Sequence, residues 1–119
     1  MAIKRVNRGL TVDECAIVRK LVTASGRNDL ANQLPSLLVV GEYPPDDPTI
    51  ILQAAGQAPS KPVPRVTIEG VVSDRLDAGE VGVILHVVNQ LIDELEFFRY
   101  DGKPVNGLPD PGQVRPLAR

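Results

Sequence analysis

Val81-Gly82-Val83-Ile84-Leu85-His86-Val87-Val88, then Asn89-Gln90, then Leu91-Ile92-Asp93-Glu94-Leu95-Glu96-Phe97-Phe98-Arg99-Tyr100: this stretch decides the fold. The first segment is a near-continuous apolar run rich in β-branched residues, the pattern of a central strand covered on both faces. Asn89-Gln90 is a tight turn, Leu91 to Tyr100 returns as the last strand, and Asp101-Gly102 closes it with turn chemistry. Immediately upstream, Val66-Thr67-Ile68-Glu69 alternates and Gly70-Val71-Val72 extends it, with Asp77-Ala78-Gly79-Glu80 as the turn between. Together these read as an antiparallel meander.

Further upstream the period changes. Thr11-Val12-Asp13-Glu14 matches a capping box, in which the Thr hydroxyl accepts the third backbone N–H and Glu14 reaches back to the cap. Cys15, Val18, Leu21 and Val22 then recur at helical spacing, and Ser25-Gly26 supplies the stop. A short second helix is expected from Asn28 to Leu34, ended by Pro35. Leu37 to Val40 and Thr49 to Leu52 read as two strands around the turn sequence Tyr43 to Pro48. Residues 54–64 are a proline-rich loop. From Asn106 onward Gly107, Pro109, Pro111, Gly112 and Pro116 predict no regular structure. The expectation is α+β: an N-terminal helix, with a short second one, packed on a mostly antiparallel β-meander.

A chain of 119 residues and 12.8 kDa holds one core. The expected organisation is a single domain over 1–119, with its core at about 10–105 and residues 106–119 as an extended tail. A net charge of −2 and a pI near 5.3 argue against a general nucleic-acid binder, which shows a basic stripe. One Cys leaves no internal disulfide framework, and with one His beside it no four-ligand Cys/His zinc site. No apolar run reaches the roughly 18 residues of a membrane span, and the first five residues carry no signal-peptide stretch. A soluble cytoplasmic protein without membrane or nucleic-acid partners is expected.

Chemistry-bearing constellations are sparse. His86 within the apolar run reads as a sheet or core histidine; as a general base it needs a nucleophile and an orienting partner. Cys15 reads as a buried, inert thiol on the helix stripe, with Asp13 and Glu14 opposing thiolate formation. The glycines form no phosphate cradle. Acids are concentrated between Val66 and Gly102, where eight stand against two arginines for a balance of −6. By the period of two, Glu94 and Glu96 share one face with Ile92 and Phe98, and Asp93 shares the other with Leu95 and Phe97. The simplest reading is a solvated outer sheet face. A docking surface for a basic partner comes next, and paired glycosidase-type carboxylates last. Phe97 must face opposite to Phe98 and Tyr100, so one aromatic set enters the core and the other meets a helix, the tail or a partner.

The stretch from Leu91 to Pro104, followed by Leu108-Pro109-Asp110, resembles the C-terminal signature of a family of small bacterial proteins. In that family a capped helix precedes a meander ending in a Glu-Leu-Glu strand and an Asp-Gly-x-Pro turn. In size and charge these are similar to immunity proteins of contact-dependent growth inhibition and polymorphic toxin systems. The resemblance implies a non-enzymatic inhibitor of a cognate toxin, a basic nuclease domain being the expected partner. Asp93, Glu94, Glu96, Phe98, Tyr100 and Asp101 are the expected partner-binding residues. No catalytic, cofactor-binding or metal-binding residue is carried over. Two alternatives stand beside it: a protein-binding or homodimerising regulatory module, and a hydrolase using Glu94 or Glu96 with His86.

Overall fold

A computed structural model describes residues 3–56 and 58–117. Seven strands and two helices follow the order β1 (Lys4–Gly9), α1 (Val12–Ser25), α2 (Asn28–Ala31), β2 (Leu38–Tyr43), β3 (Asp47–Gln53), β4 (Val66–Ser73), β5 (Glu80–Val88), β6 (Leu91–Arg99) and β7 (Arg115–Pro116). The fold is α+β, with every strand pairing antiparallel in one sheet of order β1-β2-β3-β6-β5-β4-β7. The topology is therefore not one continuous meander. Two three-stranded meanders, β1-β2-β3 and β4-β5-β6, join where β3 pairs with β6, and the 54–64 loop carries the chain between them.

α1 begins as its cap dictates. Thr11 Oγ1 accepts from the Glu14 backbone N–H at 3.1 Å, and Glu14 Oε1 accepts from the Thr11 N–H at 2.8 Å. Gly26 ends the helix in the left-handed conformation (φ 70°). Ile17, Val18, Leu21 and Val22 enter the core. Cys15 does not: it is half-buried in a shallow groove with Leu10, Val12 and Arg19. The stripe is turned by one residue from the expected one, because Glu14 is drawn in by Arg8 and the cap. Arg8 bridges Glu14 (2.8 and 3.0 Å) and Glu42 (2.8 Å), tying β1, α1 and β2 together. Burial pushes the Glu14 pKa up, but the Arg8 and Thr11 hydrogen bonds outweigh it and hold the carboxyl below its ordinary value. The second helix is shorter than expected, a turn over Asn28–Ala31 followed by a 3₁₀ turn at Leu34–Ser36.

The core lies between the helices and one sheet face: Val39, Ile50, Leu52, Val72, Val81, Val83, Leu85, Val87, Ile92, Leu95 and Phe97 meet α1 and Leu30. The expected extended tail needs correction. Val114 is buried in this core, Arg115 and Pro116 pair with Val71 and Gly70, and Pro111–Gln113 form a 3₁₀ turn. The prolines that argue against regular structure sit at a turn and on an edge strand, where a missing N–H costs nothing. Among the described residues no helix is long and apolar enough to cross a membrane.

Candidate functional site

β5 and β6 are the longest strands, and the register of their ladder distributes the expected site residues. Val81, Val83, Leu85 and Val87 point to the core. The face away from the helices carries four cross-strand pairs: Gly82 with Phe98, Ile84 with Glu96, His86 with Glu94, and Val88 with Leu91. A register shift between His86 and Val87 inserts Asp93 as an extra residue. Its effect is to send Ile92 into the core, where strict alternation places it beside Glu94. Glu94, Glu96 and Phe98 share the open face as expected; Ile92 does not. β3 adds Ile51 opposite Glu94, and β4 adds Thr67 and Glu69 opposite His86 and Ile84.

His86 and the two glutamates form a compact polar cluster on this face. His86 Nε2–H donates to Glu96 Oε1 at 2.8 Å, while Arg65 Nη1 donates to His86 Nδ1 at 3.3 Å. Arg65 also lies 3.9 Å from Asp93 Oδ2. Burial raises the Glu94 carboxyl above its ordinary pKa; electrostatic interaction with His86 and Arg65 opposes this, and Glu96 and Asp93 add to it. Burial also raises the Tyr43 phenol, with Glu94, Glu96 and Asp47 reinforcing the shift. Tyr43 and Arg65 therefore border the site, and neither is marked by composition or spacing. Only pairing across β3 and the entry to β4 brings them there.

The aromatics complete the surface. Phe97 is core, and Phe98 stacks edge-to-face with Tyr100 at a centroid distance of 5.0 Å. Gly82 makes room for this, since a Cβ there would lie 2.4 Å from Phe98 Cζ. Tyr100 is exposed.

Asp101 is not brought to this face. It belongs to a cluster around Arg99, which opposes Val81 on the core side and is itself buried. Arg99 donates to Asp101 (3.0 and 2.5 Å) and to Asp77 (2.7 and 2.8 Å), and buried Asp74 lies 3.5 Å away. The Arg99 guanidinium holds the Asp101 carboxyl down at about 2 and lowers Asp77 as well. Asp74 also caps the β4–β5 turn and accepts from Asn106 N–H and Nδ2. This is an internal clamp that fixes the β6 end and the start of the tail to the β4–β5 turn. The Asp101 charge is paired within the chain, to Arg99.

Comparison with protein-family models, with curated proteins and with solved structures gave no match.

Proposed function

We propose that this chain is a non-enzymatic protein-binding module that engages one basic protein through its open sheet face, and that it acts as an immunity-type inhibitor of a toxin domain. One observation carries the reading: Glu94, Glu96 and Phe98 share the open face of β6, and Tyr100 packs against Phe98 just beyond the strand. Acids beside partly exposed aromatics combine electrostatic steering with anchoring area. The resemblance of the C-terminal segment supplies the toxin class of the partner. Affinity capture from the native host, with wild type and a Glu94→Lys/Glu96→Lys variant as parallel baits, tests it. A basic protein retained by wild type and lost from the variant is expected, and co-expressing the chain should restore growth to cells making that protein. Equal retention by both baits contradicts the surface, and growth unchanged by co-expression contradicts inhibition.

A second reading, a hydrolase using Glu94 or Glu96 with His86, is favoured by the 2.8 Å contact between His86 and Glu96. A hydrolytic activity abolished by His86→Ala separates it from the first.

A further inference from the structure

His86, Glu94 and Glu96 each present a ligand atom within 4.8 Å of the other two, and no other group of three or more His, Cys, Asp or Glu side chains has this spacing among the described residues. The three stand on β5 and β6, with His86 directly opposite Glu94 and Glu96 two residues further along. Their backbone is thus fixed by a continuous ladder. The imidazole is only 13% exposed and the Glu96 side chain 38%. The Glu94 carboxylate is half-buried and makes no hydrogen bond to another described residue. It lies in the cluster with its lone pairs unused, next to a nitrogen donor.

We propose that His86, Glu94 and Glu96 form a site for one divalent first-row transition ion, with Zn²⁺ as its representative. One imidazole nitrogen and two carboxylate oxygens suit this class, whereas Ca²⁺ takes six to eight oxygens and Mg²⁺ an octahedral oxygen shell. Three protein ligands with a fourth position open is a recognised zinc arrangement. Zinc bonds of about 2.0–2.2 Å set tetrahedral ligands roughly 3.3–3.6 Å apart. The ligand atoms now lie within 4.8 Å of one another and must draw in to that spacing. For Nε2 to bind the ion, the ring proton passes to Nδ1 and the Arg65 hydrogen bond to Nδ1 is given up. Among the described residues, Arg65 is the cation beside the cluster, on His86 Nδ1 and near Asp93. Its charge opposes an incoming ion and sets the affinity below that of a bare triad.

The test uses the untagged full chain without a partner, so its outcome is independent of the protein-binding proposal. His86 is the only histidine and Cys15 the only cysteine, so few alternative donors compete. Titration with Zn²⁺ by calorimetry should give one equivalent, and Co²⁺ should develop a visible absorption band with the same stoichiometry. His86→Ala and Glu94→Gln, each verified as folded by circular dichroism, should weaken binding by at least about 10-fold, no less than outer-shell changes do at other sites. Arg65→Ala should tighten it, and Cys15→Ser should leave it unchanged. Saturating Zn²⁺ should raise the melting temperature of wild type but not of His86→Ala. Absence of saturable one-to-one binding overturns the proposal. So does binding that survives intact in both His86→Ala and Glu94→Gln, or that disappears with Cys15→Ser.

Discussion

Replacing Gly82 by Ala drives a methyl group into the ring of Phe98. The new Cβ would lie 2.4 Å from Cζ and 2.5 Å from Cε1, far inside the ~3.5 Å at which carbon atoms meet comfortably. Residues 82 and 98 are a registered pair, one in from the Val81–Arg99 end of the β5–β6 ladder, which ties both backbones. The ring must swing away, and its edge-to-face contact with Tyr100 goes with it. Overpacking of this kind costs about 1–3 kcal/mol. Alanine is meanwhile better than glycine within a strand by about 0.5–1 kcal/mol. The net loss expected for Gly82→Ala is therefore about 0–2.5 kcal/mol. In a Phe98→Ala background the obstacle is gone, and the same substitution should stabilise by about 0.5–1 kcal/mol. Urea denaturation of wild type, both single variants and the double variant closes the cycle, with a coupling of about 1–3 kcal/mol. A Gly82→Ala effect of the same sign and size in both backgrounds would refute the placement of Phe98 over Gly82, and with it the aromatic part of the open face.

Other consequences follow from the same contacts. Thr11→Ala removes a cap that accepts the Glu14 N–H, and should lower stability by about 1 kcal/mol with an unchanged denaturant slope. Val114→Ala deletes two buried methyl groups and should cost about 2 kcal/mol in a chemical melt, whereas a tail lying free of the core would show no effect. Asp101 titrates near 2 in the folded state against an ordinary 3.8. Its folded pKa is depressed, so its contribution is present above about pH 3.8 and fades as pH falls toward 2. Asp101→Asn should accordingly flatten the loss of stability between pH 4 and pH 2, read from urea midpoints at stepped pH.

Elements governed by neighbours in sequence were legible, and those governed by neighbours in space were not. The capping box at Thr11, the stop at Gly26 and the turn at Asn89-Gln90, both residues of which adopt positive φ, are short-range chemistry and stand where the residues place them. β1 escaped notice because Lys4-Arg5-Val6-Asn7-Arg8-Gly9 has no apolar alternation. It is an edge strand, mostly exposed, held by pairing to β2 and by the Arg8 bridges. The irregularity at Asp93 is equally silent in composition, yet it decides which of Ile92 and Glu94 faces the core. The site was legible only in part. Alternation put Glu94, Glu96 and Phe98 together, but His86 joins them through cross-strand pairing, and Tyr43 and Arg65 through the strands flanking that ladder. In sequence Asp101 is one more acid in an acidic segment, and the buried guanidinium that pairs with it is visible only in the fold.

The proposed steering of a basic partner by the acids of the open face is read in association kinetics. Wild type and Glu94→Lys/Glu96→Lys are compared against the captured partner at low and high salt, with circular dichroism confirming that both are folded. Steered encounter is worth about 10–1,000-fold in rate at low ionic strength. The reversal should therefore slow association by about 10-fold or more at low salt and much less at high salt, flattening the salt dependence. A folded double variant that associates at the wild-type rate at both salts would contradict the account and leave Glu94 and Glu96 as a solvated face.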